Sequence, residues 1–222
     1  MKRWLKYLLS DLGLMPTIDV VRYAPATAAW LAGGCVGLAP DPVKRQIISS
    51  YLRHFKLKTF VETGVYVGDT LAQVSRDRSV RCTSIELAEP YYRDAVNRFR
   101  RRANVDLLRG DSGELLPALV EALDAPALFW LDGHWSGGAT AKGPVDSPIS
   151  SELDAILSSP IRDHVVLIDD ARCFDGHGGY PHLGELLETV RRSSGYRCEV
   201  SADIIRLTAS DDDASPGAVS CA

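Results

Sequence analysis

The sequence predicts an α/β domain, a parallel β-sheet with helices covering both faces. Two observations carry this. Short apolar runs, each ending in a polar or glycine-rich stretch, alternate along the chain with segments of helical period, and that β-α-β-α alternation implies crossover connections. The runs are near-continuously apolar, which is the pattern of strands buried on both sides. The composition supplies the material. Of 222 residues, 45% are hydrophobic and 24% charged, an ordinary globular balance for one domain with a substantial core.

Taken in order, the first 40 residues read as loop-rich, with many Ala, Gly and Pro. The opening MKRWLKYLL is basic and then apolar, but the apolar run stops at Ser10-Asp11 with no convincing cleavage site after it. It reads as an amphipathic helix packing on its own domain or on a partner subunit, with a peripheral membrane contact through Lys2, Arg3, Trp4 and Lys6 as the alternative. The stretch from Ala24 to Ala39 is too short and too interrupted, by Pro25, Gly33, Gly34 and Gly37, to span a membrane. Pro42 opens a helix with Val43, Ile47, Ile48, Tyr51, Leu52 and Phe55 at helical spacing. Strands are expected at Thr59–Glu62, Arg81–Glu86, Val105–Leu108, Ala127–Leu131 and Val165–Ile168. Helices are expected at Thr70–Arg76, Glu89–Arg101, Gly113–Ala122, Ile149–Ser158 and Leu183–Ser193. YRCEVS and ADIIRLT form two closing strands around a tight turn, and the acidic, small-residue tail from Ser210 reads as disordered. The organisation is an N-terminal helical or loop appendage (1–41), a main domain (42–209) and a tail (210–222).

A formal net charge of −4 argues against broad nucleic-acid or anionic-membrane binding. Five cysteines, an odd number with no CxxC pair, read as free thiols of a cytoplasmic protein. The absence of a G-x-x-x-x-G-K-[ST] loop disfavours an NTPase.

In an open parallel sheet, ligands bind beyond the carboxyl ends of the strands. The first strand runs into VETGVYVGDT, where Gly64 and Gly68 permit a tight turn and Tyr66 stands where a dinucleotide loop would have glycine. The second ends in Glu86, a carboxylate able to accept bonds from both hydroxyls of a ribose, or simply a solvated strand-end acid. The third ends RGDSGEL, so Asp111 and Ser112 can meet an adenine amine, cap the next helix, or both. The fourth and fifth end LDGHW and IDDAR, projecting Asp132, Asp169 and Asp170 from neighbouring strand ends. Carboxylates so close repel one another, and a hard divalent cation such as Mg²⁺ removes that cost. The structural alternative is that Arg172 neutralises one acid and Asp169 caps a turn.

The run ETGVYVGDT, SIEL, GDS, LDGHW, IDDAR resembles class I S-adenosylmethionine-dependent methyltransferases, and within them is most similar to the metal-dependent sugar O-methyltransferases of the macrocin type, over roughly residues 42–208. The resemblance implies a Rossmann-like, doubly wound, seven-stranded, mostly parallel sheet with an antiparallel last strand. It implies that Glu62, Gly64 and Gly68 flank the methionine part of S-adenosylmethionine, that Glu86 holds the ribose, and that Asp111 and Ser112 meet the adenine. Asp132, Asp169 and Asp170 would bind Mg²⁺. Two departures stand out: the first motif lacks its middle glycine, and His134 occupies a position where the family often has another acid.

Methyl transfer from a sulfonium is an in-line displacement that needs an aligned, preferably deprotonated acceptor oxygen. His134 and Asp132 are the expected catalytic residues, with His177 and Lys142 as weaker candidates for the base. Residues 136–148, rich in Ser, Gly and Pro, are expected to form a lid. The expected partner is a small-molecule acceptor, a sugar or glycosylated metabolite, with homo-oligomerisation through the N-terminal segment. Two other classes compete: a metal-dependent hydrolase or sugar-modifying enzyme on the same architecture, and a non-catalytic cofactor-binding subunit.

Overall fold

The computed structural model describes residues 15–133, 147–193 and 195–210, with side chains from residue 21 onward. Its elements in chain order are α1 (Met15–Ala32), α2 (Asp41–His54), β1 (Thr59–Thr63), α3 (Asp69–Val74), β2 (Arg81–Glu86), α4 (Glu89–Phe99), β3 (Val105–Arg109), α5 (Ser112–Glu121), β4 (Leu128–Leu131), α6 (Ile149–Leu157), β5 (Val165–Ile168), a 3₁₀ turn (Ala171–Cys173), α7 (Leu183–Arg192), β6 (Tyr196–Ser201) and β7 (Ile204–Ala209).

The seven strands form one sheet in the order β3-β2-β1-β4-β5-β7-β6. Pairing is parallel from β3 through β5, and β7 runs antiparallel to both β5 and β6. This is the doubly wound, mostly parallel sheet with an antiparallel last strand that the sequence led us to expect. The chain starts in the middle with β1, winds outward to β3, returns to β4 and winds the other way. The strand order reverses between β1 and β4, and ligands of such sheets usually bind beyond the carboxyl ends at that switch point.

Alternation along the strands divides the core in two. Phe60, Cys82, Leu128, Trp130, Val165 and Leu167 face α2, α3 and α4, whose Ile48, Tyr51, Leu71 and Phe99 complete that layer. Val61, Ile85, Phe129, Leu131, Val166 and Ile168 face α5, α6 and α7, which contribute Leu116, Leu153, Ile156 and Leu186. All four residues of β4 and of β5 are buried, as a sheet covered on both faces demands.

Two expectations are corrected. The region before Asp41, read as loop-rich, contains an 18-residue helix with Pro25 inside it. It is anchored by Trp30, which packs against the α2-side core, and by Tyr23 Oη, which donates to Asp41 Oδ2 at 3.1 Å. Cys35, expected as a free thiol, is disulfide-bonded, and its partner lies outside the described residues. It sits half-buried in the loop after α1, so core packing does not sequester its sulfur; Cys82, Cys173 and Cys198 are free. Among the described residues no helix is long and apolar enough to cross a membrane.

Candidate active site at the carboxyl edge of the sheet

The parallel ladder continues one residue past the strands. Gly64 N donates to Ile85 O, Asp132 N to Thr63 O and Asp169 N to Leu131 O, at 2.9, 3.1 and 3.0 Å. The residues that follow β1, β4 and β5 are thereby held in line at one edge.

Gly64 has φ +82°, and a Cβ there would lie 2.5 Å from the carbonyl oxygen of Asp132. Only glycine permits the close approach of the β1 loop to the end of β4. Tyr66 takes a left-handed conformation itself, φ +45°, in place of the missing middle glycine. Two contacts hold it there. Its N–H donates to Glu86 Oε2 at 2.9 Å, and its ring meets that of Tyr91 edge-on, with centroids 4.8 Å apart. Glu86 Oε1 accepts from Ala88 N at 2.8 Å. Glu86 is buried and ties the loop after β1 to the loop after β2.

Glu62, 2% exposed, accepts from Ser84 Oγ at 2.7 Å. Burial pushes its carboxyl up to about 8, the Ser84 bond offsetting only part of that. Asp111 accepts from Gly113 N at 2.8 Å and so caps α5 through Oδ1, which leaves the adenine contact compatible. Ser112 is buried, with its Oγ close to Gly133. The expected cofactor residues therefore lie along the ends of β1, β2 and β3.

The two acids beyond β5 gather, with additions, while Asp132 beyond β4 is not in the group whose carboxylate oxygens come within ligand distance of one another. Carboxylate oxygens of Asp169, Asp170 and Asp203 lie within 4.8 Å of one another, a cluster suited by position to a cation. Asp203, from the β6–β7 turn, was not anticipated, and neither was Lys44, which α2 inserts into the group. Lys44 Nζ donates to Asp169 Oδ1 and lies 3.5 Å from Asp170 Oδ1. Arg172 pairs with Asp170 at 2.7 Å and with Asp203, whose Oδ1 also accepts the Arg172 N–H at 2.9 Å. The structural alternative for Arg172 is thus realised at Asp170, and Asp169 Oδ1 accepts from Asp170 N at 2.8 Å.

The charges sort unequally. Burial opposes the charge on Lys44, but Asp169, Asp170 and Asp203 outweigh it and hold the ammonium above its ordinary range. Burial, then Asp169, Asp170 and Glu62, push Asp132 well above the carboxylate range, and Lys44 offsets this only in part. Tyr180 joins from the stretch after the 3₁₀ turn. Burial first, then Cys173, Asp170 and Asp132, keep its hydroxyl protonated. Tyr180, Phe174, Gly133, Ser147 and Glu152 line a small cavity beside this group.

Among the weaker candidates, His177 is exposed and turned to Asp175, with Nδ1 to Oδ1 at 3.3 Å. His134 and Lys142 lie outside the described residues, as does the expected lid except for Ser147 and Pro148.

Comparison of the sequence with protein-family models and with curated proteins finds no match. Solved structures do match. The O-methyltransferase TomG from Streptomyces achromogenes, involved in tomaymycin synthesis and solved with SAM, is 16% identical with a TM-score of 0.58, over 87% of this chain and 95% of that one. An O-methyltransferase from Bacillus cereus in complex with SAH is 12% identical with a TM-score of 0.59, over 86% and 90%. The SAH-bound Podospora anserina methyltransferase PaMTH1 is 14% identical with a TM-score of 0.59, over 86% and 96%. At these identities the likeness is one of architecture, and it agrees with the strand order already described: the chain has the Rossmann-like methyltransferase fold.

Proposed function

We propose that the protein is an S-adenosylmethionine-dependent O-methyltransferase. The observation that carries this reading is the closure of the Gly64–Gly68 loop onto Glu86, through the 2.9 Å bond from Tyr66 N. A carboxylate offers about four acceptor positions. The two backbone donors at Glu86 leave room for both hydroxyls of a ribose. In this reading Glu62, Gly64 and Gly68 flank the methionine part of the cofactor, and Asp111 and Ser112 meet the adenine. That TomG was solved with SAM and the Bacillus cereus enzyme with SAH, on the same fold, supports the choice of cofactor.

The reaction breaks the S–CH₃ bond as the acceptor oxygen forms its bond to the methyl carbon, and the acceptor proton passes to a base. Asp132 and His134 are the bases in this reading. Desolvation and the acids around it raise the proton affinity of the Asp132 carboxylate, which favours it as the acceptor of that proton. The acceptor is a small-molecule hydroxyl, on a sugar or glycosylated metabolite as in macrocin-type enzymes. Exposed Val21 and Leu31 on α1 support self-association through the N-terminal segment. The free thiols of Cys82, Cys173 and Cys198 support a reducing, cytoplasmic setting, against which Cys35 stands as the exception.

In the same reading Asp132, Asp169 and Asp170 hold Mg²⁺. Their oxygen-only donor set fits a hard cation, and the bound ion would supply Lewis-acid polarisation of the acceptor hydroxyl. The Lys44 ammonium on Asp169 favours a second reading, in which lysine brings the positive charge and the acids position it.

Calorimetric titration with S-adenosylmethionine, with and without Mg²⁺, tests all of this. Saturable cofactor binding is expected. Its absence in the folded protein would remove the methyltransferase reading, and metal binding alone would point to the hydrolase class. Cofactor binding and methyl transfer that do not respond to Mg²⁺ or chelator would select the lysine reading.

A further inference from the structure

Away from the carboxylate-rich edge, the C-terminal end of α4 and the connection between α3 and β2 enclose a pocket of about 240 Å³ lined by Arg78, Arg98, Arg100, Arg101 and Arg102. Among the described residues that line it there is no carboxylate and no aromatic ring. In a chain of formal net charge −4 this is a pronounced local reversal of sign.

The pocket is built rather than a chance crowding of long side chains. The Arg98 side chain is 3% exposed, and its Nη1 is fixed 3.0 Å from Asp69 Oδ1 and on the carbonyl of Val67. Arg102 Nη1 donates to Ser75 Oγ at 3.1 Å, and Arg100 Nη1 to Asn97 O at 2.8 Å. The loop that carries Arg78 is pinned by Asn104, whose amide donates to the carbonyls of Ser75, Asp77 and Val80 at 3.3, 3.2 and 2.9 Å. The nearest acid in sequence, Asp77, is committed to Ser79 N and Oγ at 2.9 and 2.6 Å. Like-charged guanidiniums gathered at one pocket repel one another, and no acid is among the described residues that line it. An anion with several charges on a small group relieves that repulsion, and the guanidinium fork matches phosphate oxygens two at a time.

We infer that this pocket binds a clustered-phosphate group of the diphosphate type. With no aromatic ring among the described lining residues there is no platform for a base, so the phosphates themselves are what is recognised. The group can belong to a free small molecule or to a polyphosphorylated lipid headgroup, and the chemistry of recognition is the same.

The test is calorimetric titration of the full chain with inorganic pyrophosphate, repeated for Arg78→Ala/Arg101→Ala and Arg78→Lys/Arg101→Lys. Both residues are exposed, so the variants should fold, and unchanged thermal midpoints check that they do. Saturable binding is expected in the wild type. The alanine pair should weaken it by about tenfold or more for each arginine, and the lysine pair, which keeps the charge but loses the fork, by less. Vesicles of phosphatidylcholine doped with a polyphosphoinositide form the second arm. Co-sedimentation lost in the alanine pair, without pyrophosphate binding, assigns the group to a lipid headgroup. The inference is overturned if the wild type binds neither probe, or if the alanine pair binds as well as the wild type.

Discussion

Lys44, on the helix that precedes the sheet, donates a hydrogen bond to Asp169 at the end of β5, with only 7% of each residue exposed. A helix outside the alternating β-α units thus completes the cluster at the strand ends. Lys44→Met leaves Asp169 and Asp170 without that charge, and the loss expected for breaking a buried pair is about 3–5 kcal/mol in urea unfolding. The double variant Lys44→Met/Asp169→Leu should recover part of it. Equal stability of wild type and Lys44→Met would show that the acids are neutralised by something else.

Two buried groups give opposite pH dependences. Glu62 is pushed up to about 8 from an ordinary 4.5, so between these values the native state holds a proton that the unfolded chain has released. Stability therefore falls as pH rises through that window, by up to about 1.4 kcal/mol per pH unit from this group. Glu62→Gln should flatten the decline, and urea midpoints of both proteins from pH 5 to 8 measure it. Parallel profiles would mean that Glu62 ionises freely in the fold.

His164 works the other way. It is fully buried, accepting from Ala127 N on Nδ1 at 3.1 Å with Nε2 at 3.1 Å from Ser159 Oγ, and burial pushes it down to about 4 from 6.5. Below pH 6.5 the unfolded chain takes up a proton that the native ring refuses, so stability is lost as pH falls towards 4. The imidazole signals followed by NMR should titrate near 4. Titration near 6.5 would contradict the burial.

Gly64→Ala places a methyl 2.5 Å from the Asp132 carbonyl at φ +82°. Because a backbone atom is in the way, relief requires separating the ends of β1 and β4. A loss of about 2–3 kcal/mol or more is expected from strain and displaced packing, together with weaker S-adenosylmethionine binding. An unchanged thermal midpoint would show that the two loops are not held as closely as described.

Glu86→Ala removes the acceptor for Tyr66 N and Ala88 N and, in the proposed function, for the ribose. Charge-assisted bonds at roughly 1.5–3 kcal/mol each imply a loss of cofactor affinity of about tenfold or more. Calorimetry on the folded variant decides, and undiminished affinity would cancel the ribose assignment.

The sheet was legible because doubly buried strands leave near-continuous apolar runs. The expected bounds of β2 and β5 coincide with those observed, and those of β1, β3 and β4 differ by one residue. The strand-end residues followed from the same reading, since each polar residue after an apolar run must emerge at one edge. Lys44 and Asp203 were not legible. Lys44 lies among polar neighbours on an amphipathic helix, where local pattern assigns it to solvent, and only the packing of α2 against the sheet turns it inward. Asp203 looks like ordinary turn chemistry until the antiparallel insertion of β7 carries the turn to the edge where Asp169 stands. The helix around Pro25 was obscured by residues that normally punctuate loops.

The hairpin between β6 and β7 closes through Ala202 and Asp203 alone, both in the left-handed region at φ +55° and +61°. Turns of this shape favour Asn-Gly, and a side chain other than these sits there at a cost. Here the carboxylate and carbonyl of Asp203 hold Arg172 and Ala171, so the turn doubles as a tether for the segment carrying Asp170. A thermostability campaign that installed Asn-Gly would improve the hairpin as an isolated unit and strip Arg172 of its Asp203 carboxylate partner, leaving only the backbone bond to Ala171 to hold that segment. This turn is where the chain has kept a poorer local solution, and an engineer guided by turn statistics alone would select against the site.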